Sequence, residues 1–140
     1  MCGFFKRMVF LLTFILFFTS CNRSRNTVEI LPEKIIVENF DFFYNKFHSD
    51  SLFQMGRIKF PLKGQNVDGL EKTNWTKENW NMLRTKIYDI DTTEFKIDFK
   101  RTKTSFFEKC IIKESGFSSE FGFKLMGKKW YLVYALDKNL

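Results

Sequence analysis

The chain has 140 residues, 44% of them hydrophobic and 19% aromatic, with a formal charge of +7. That length is one domain, large enough to fold on a hydrophobic core without disulfides. The basic residues are interspersed with acids rather than gathered in a run, so nucleic-acid binding is not expected.

The first twenty residues read as a targeting segment. Lys6 and Arg7 form a positive start, Met8 to Phe18 is an uncharged apolar run, and the small residues Thr19 and Ser20 precede Cys21. The run is too short to span a bilayer and matches the apolar region of a signal peptide. Phe18-Thr19-Ser20-Cys21 resembles a bacterial lipoprotein box, with Phe18 where leucine is usual. The small residue admits the peptidase, and the thiol carries the diacylglycerol. Acylation of the freed amine would add the further chain that a stable anchor needs. The expected organisation is a signal peptide over 1–20, lipidated Cys21 and a polar tether over 21–31, and one domain over 32–140. Loss of Lys6 and Arg7 with the leader lowers the formal charge from +7 to +5, which favours anionic surfaces or ligands. Cys2 leaves with the leader and Cys21 carries lipid, so Cys110 has no partner for an intramolecular disulfide.

Pro32 and Glu33 suit the start of a helix. Ile36, Phe40, Phe43 and Phe47 then recur on one helical stripe, widened by Val37 and Tyr44, and that face needs a broad cover. The helix should fail near His48-Ser49-Asp50, with Asp50 or Ser49 capping a short turn over Ser51 to Gln54. Gly56 to Leu62 reads as a strand placed at an edge or ended by Pro61. Lys63 to Thr73 is a loop or a hairpin. Trp75 and Trp80 should bracket a helical turn capped by Thr76 or Asn74 and plug one end of the core.

From Arg84 the period becomes two. Ile87 opposes Tyr88 and Ile90, and Phe95, Ile97 and Phe99 alternate with Lys96, Asp98 and Lys100. In Phe106 to Lys113, Phe106, Cys110 and Ile112 oppose Phe107 and Ile111. Phe121, Phe123 and Leu125 share a face, as do Trp130, Leu132, Tyr134 and Leu136. Short turns between such segments point to an antiparallel meander.

Few residues carry chemistry. His48, the only histidine, falls in a polar break and reads as a solvated residue, and with one unlipidated cysteine a zinc site is not expected. Cys110 reads as a buried small hydrophobe rather than a nucleophile. An acid–base enzyme needs a carboxylate projecting into an apolar interior, where burial raises its pKa. Asp98 and Glu120 oppose the apolar faces beside them; Asp89 or Asp91 could enter a cavity.

Together the helix, Asp50-x-x-Phe53-Gln54-x-x-Arg57-Ile58-x-Phe60-Pro61-Leu62, the Trp75 and Trp80 pair, and Phe123-x-x-x-Gly127-x-x-Trp130 resemble an uncharacterised family of lipoproteins from Bacteroidota-type bacteria. The resemblance implies an α+β, nuclear-transport-factor-2-like domain: a long N-terminal helix on a curved antiparallel sheet enclosing a conical cavity. That fold hosts isomerases, dehydratases and binding modules alike. The expectation is a non-catalytic binding or accessory domain, anchored at the cell envelope through Cys21, with the outer membrane as its site. It needs no cofactor and no metal, and its partner is a small apolar or amphipathic molecule or an envelope protein. The expected cavity lining is Phe40, Phe43, Tyr44, Phe47, Trp75, Trp80, Trp130 and Tyr134. The alternative is an isomerase or hydratase using Asp89 or Asp91 as base.

Overall fold

The computed structural model describes residues 36–140, which lie within one compact unit, Lys34–Leu140. The leader, Cys21, the tether and the expected helix start at Pro32 lie outside the described residues. The elements are α1 (Phe40–Ser49), α2 (Ser51–Gly56), β1 (Ile58–Lys63), β2 (Gln65–Asp68), β3 (Glu71–Asn74), β4 (Phe95–Arg101), β5 (Ser105–Ile112), β6 (Ser118–Met126) and β7 (Lys129–Asn139).

The first helix is short, not long. It starts at Phe40 because Asn39 is its N-cap, accepting a 3.0 Å hydrogen bond from the Phe42 N–H. Glu38 is drawn away from the helix: its N–H donates to the Lys128 carbonyl at 2.9 Å, and its carboxylate takes both terminal nitrogens of Arg57 at 2.8 and 2.9 Å. Ile36 therefore leaves the expected stripe and stays 77% exposed. The stripe itself is as the spacing requires, with Phe40, Phe43, Tyr44 and Phe47 buried and Phe42 exposed. At its far end Asp50 accepts from the Phe53 N–H at 2.9 Å and caps α2, as its position predicts.

Among the described residues seven strands form one curved sheet in the order β3-β2-β7-β6-β5-β4, with β1 beside the first half of β7. β4 to β7 are the expected antiparallel meander. The sheet as a whole is mixed, because β1 and β2 run parallel to β7. β6 occupies one edge of β7, and β1 and β2 pair along the other. Pro61 lies in β1, which pairs only with β7 among the described strands, within the stretch where that pairing shifts register. Lys63 to Thr73 contains the β2–β3 hairpin.

Two further expectations change. Residues 87–89 form a 3-10 turn rather than strand, because the Ile87 N–H is taken by the Tyr44 hydroxyl at 3.0 Å and the Asp89 N–H by the Lys86 carbonyl. The stretch between the tryptophans is a non-helical turn closed by Thr76 and Asn79, each side chain accepting from the other's backbone N–H. Both tryptophans are nevertheless buried, edge to face at 5.3 Å. Gln54 holds this region: its amide donates to the Phe47 and Leu83 carbonyls and accepts from Trp80 Nε1 and the Leu83 N–H. All four hydrogen bonds of a buried amide are thereby made.

The concave face of the sheet is set by register. Phe106, Glu108 and Cys110 on β5 pair with Phe123, Phe121 and Ser119 on β6. On β7 the inward set begins with Trp130 and Leu132, but a bulge follows: Phe123 pairs with Leu132 and Gly122 with Tyr134, so Val133 is extra. One added residue inverts the alternation. Ala135 and Asp137 turn inward, whereas Tyr134 and Leu136 go to the outer face, contrary to the expected shared face.

Candidate ligand-binding site on the concave face

The residues expected to line a cavity divide into three groups. Phe40, Phe43, Tyr44 and Phe47 meet Trp130, Phe106 and Phe123 with ring centroids 4.8 to 6.5 Å apart, filling the space between α1 and the sheet. Trp75 and Trp80 belong to the same core, and Trp75 Nε1 donates to the Ala135 carbonyl at 2.8 Å. Tyr134 is not brought to either group. The bulge sends it outward, where it lies 6.5 Å from Phe107 and lines a shallow groove of about 320 Å³ floored by Gly122. A Cβ at Gly122 would come within 3.2 Å of the Tyr134 Cβ, which is why this groove has a glycine floor.

α1 is too short to cover the whole concave face. Beyond it the face opens into a hollow of about 300 Å³. Phe95, Ile112 and Phe117 give it apolar walls, and Cys110, Ser119 and Asp137 bring polar atoms to it from β5, β6 and β7. Those three sit side by side in register. Burial pushes the Asp137 carboxyl above its usual range while the Ser119 side chain pulls it back, and Asp137 Oδ1 has no hydrogen-bond partner among the described residues. The Cys110 thiol is half-buried and free, and its pKa is raised by burial and then by the charge of Glu108.

Deeper on the same face Glu108 is only 4% exposed. Its Oε2 accepts from the Tyr44 hydroxyl at 2.5 Å. Burial pushes its pKa up to about 7, although the tyrosine hydrogen bond works the other way. The Tyr44 phenol is itself raised, by burial and then by the neighbouring Glu108 charge. His48, expected in solvent, is buried at the end of α1 against the Tyr44 ring, 4.4 Å away. Its Nδ1 lies 2.8 Å from the Tyr44 carbonyl and its Nε2 has no partner among the described residues. Burial lowers its pKa, which favours the neutral ring.

Residues 38–139 match a protein-family model, which takes in nearly all of the described chain. An NMR structure of a protein from Bacteroides uniformis is similar at 28% identity and a TM-score of 0.54, over 74% of this chain and 77% of that one. A crystal structure of a nuclear-transport-factor-2-like protein from Bacteroides fragilis gives 20% identity and a TM-score of 0.52, over 77% of this chain and 50% of that one. This chain belongs to the family of that model, and its fold is nuclear-transport-factor-2-like. It spans half the length of the Bacteroides fragilis protein. The comparison with curated proteins gave no match.

Within this nuclear-transport-factor-2-like domain the expected catalytic candidates are on the surface. Asp89 pairs with Lys86 at 3.3 Å, and Asp91 accepts from the Thr93 N–H at 2.8 Å, a bond that lowers its pKa. The local 3-10 turn, not a strand, carries Asp89 outward. The acids on the concave face are Glu108 and Asp137, which the sequence reading passed over. Glu108 was signalled by its phase, two residues from both Phe106 and Cys110. Asp137 had no such signal, since the bulge at Val133 reverses its side. Among the described residues no three His, Cys, Asp or Glu side chains converge as metal ligands.

Proposed function

We propose that the protein is a lipid-anchored binding domain of the bacterial cell envelope that holds a small amphipathic molecule without transforming it. The hollow at the open end of the concave face carries this reading. Its walls are apolar, its volume of about 300 Å³ is at the small end of ligand sites, and Asp137 lines it with a carboxyl whose buried Oδ1 has no partner among the described residues. A molecule with an apolar body and one hydrogen-bond donor complements that arrangement. The positive start, the apolar run and Thr19-Ser20-Cys21 support the anchor, which would hold the domain at the outer membrane. Native mass spectrometry of the Lys34–Leu140 unit after gentle purification tests the binding role. A co-purifying amphipath lost in Asp137→Asn is expected; a ligand retained undiminished by that variant contradicts the assignment of the hollow.

A second reading is an isomerase- or hydratase-type enzyme, and one observation favours it. Glu108 is a buried carboxyl with a pKa near 7 and a tyrosine hydroxyl on its oxygen, a pairing suited to proton transfer. Against it, Glu108 lines neither the hollow nor the outer groove. Turnover of a carbonyl or unsaturated substrate that disappears in Glu108→Gln while the fold persists would decide for the enzyme.

A further inference from the structure

A third concavity, of about 690 Å³, lies at the opposite end of the domain from the hollow, where the chain enters α1. Val37, Phe40 and Trp130 make its apolar side, and Arg101, Thr102 and Lys103 make its rim. The two acids beside it are already matched. Glu38 is held by Arg57 and by the Trp130 N–H at 2.7 Å. Asp41 takes Arg101 at 2.7 Å, which fixes the guanidinium 4.5 Å over the Phe40 ring. The β6–β7 turn adjoins the recess, since the Lys128 carbonyl accepts the Glu38 N–H, and it adds the exposed Lys128 and Lys129. This end of the domain therefore carries three lysines, of which Lys103 lines the recess beside the pinned arginine and its apolar wall.

We infer that this end of the domain docks on an anionic lipid surface, with the recess taking a phospholipid headgroup. The phosphate meets Lys103, beside an Arg101 whose terminal nitrogens are both held by Asp41 and a Thr102 hydroxyl already bonded within its own loop. The carbon backbone of the lipid lies against Val37. The occupant follows from position as well as charge. Val37 and Glu38, at the start of the described chain and on the sequence side of Cys21, form one wall of the recess. Lysines near an anionic leaflet contribute about 1 kcal/mol each, or roughly fivefold in affinity, and act within about a Debye length. The lipid argument rests on the anchored reading of Cys21, but the binding itself does not.

The test uses the Lys34–Leu140 unit, which contains its own core and lacks Cys21. Co-sedimentation is measured with vesicles of phosphatidylcholine alone and with phosphatidylglycerol added. Binding is expected only to the anionic vesicles, with steep loss as salt rises. The variant Lys103→Glu/Lys128→Glu/Lys129→Glu should bind at least tenfold more weakly. The control Lys72→Glu/Lys77→Glu, by the β2–β3 hairpin, should bind as the parent does. Equal loss in the control, equal binding to both vesicles, or competition by soluble glycerol phosphate at matching concentration would overturn the lipid assignment. Separate metabolic labelling of Cys21 in the full chain keeps the two ideas apart. Vesicle binding without labelling would remove the anchor and leave the surface; labelling without vesicle binding would do the reverse.

Discussion

The Tyr44 hydroxyl donates to Glu108 at 2.5 Å and accepts the Ile87 N–H at 3.0 Å, so one phenol joins α1, β5 and the 3-10 turn. That phenol is what makes the inward carboxyl tolerable. A buried carboxyl left without a partner costs more than a paired one, because its oxygens lose water and gain nothing.

This relationship sets a pH dependence. The folded pKa of Glu108 lies near 7, above its usual value of 4.5. Between those values the native state binds more protons than the unfolded one, so stability falls as pH rises through this window. The contribution is complete below the lower value and lost above the upper, and amounts to about 3 kcal/mol at most. Denaturant unfolding at pH 5 and pH 8 checks it. Glu108→Gln should flatten the pH response of this group, and an unchanged slope in that variant contradicts the assignment.

The local phase of the chain made much of this readable, and its long-range partners did not. Phe40, Phe43 and Phe47 announce the helical face by spacing alone. Asp50 announces the second helix by its place before Ser51. The true start of α1 depends on Glu38 finding Arg57 and the β6–β7 turn, which no window around Pro32 contains. The parallel direction of β1 depends on Ile58 meeting Leu132, far along the chain. Glu108 was legible, being in phase with Phe106 and Cys110. Asp137 was not, because the extra residue Val133 has no signature in the strand's alternation.

Helical phase can be tested by truncation. Phe43 and Phe47 are fully buried, and Phe43→Ala or Phe47→Ala should cost about 3–5 kcal/mol in unfolding free energy. Phe42 is 64% exposed, and Phe42→Ala should fall within about 0.5 kcal/mol of the parent. The reverse ranking in chemical denaturation contradicts the packing of α1.

Cys110 should react slowly. Its thiol is half-buried and its pKa is raised, so little thiolate is present at neutral pH. A maleimide or disulfide reagent should label the native protein slowly and the unfolded protein at once. Rapid stoichiometric labelling of the folded form would point to a redox role.

The anchor is tested in cells. An alkyne fatty acid should label the full chain and fail to label Cys21→Ser. Equal labelling of the two contradicts lipidation at this residue.

The binding role rests on the hollow beside Asp137, and amide chemical-shift mapping of the Lys34–Leu140 unit during titration with octylamine tests it most directly. Octylamine supplies an apolar chain and a donor, the two features the hollow complements. Shifts should cluster at Cys110, Ile112, Ser119 and Asp137, diminish in Asp137→Asn, and leave the octylamine signals chemically unchanged. Shifts confined to Phe107, Gly122 and Tyr134 on the outer face, or none at millimolar octylamine, would contradict a binding site on the concave face.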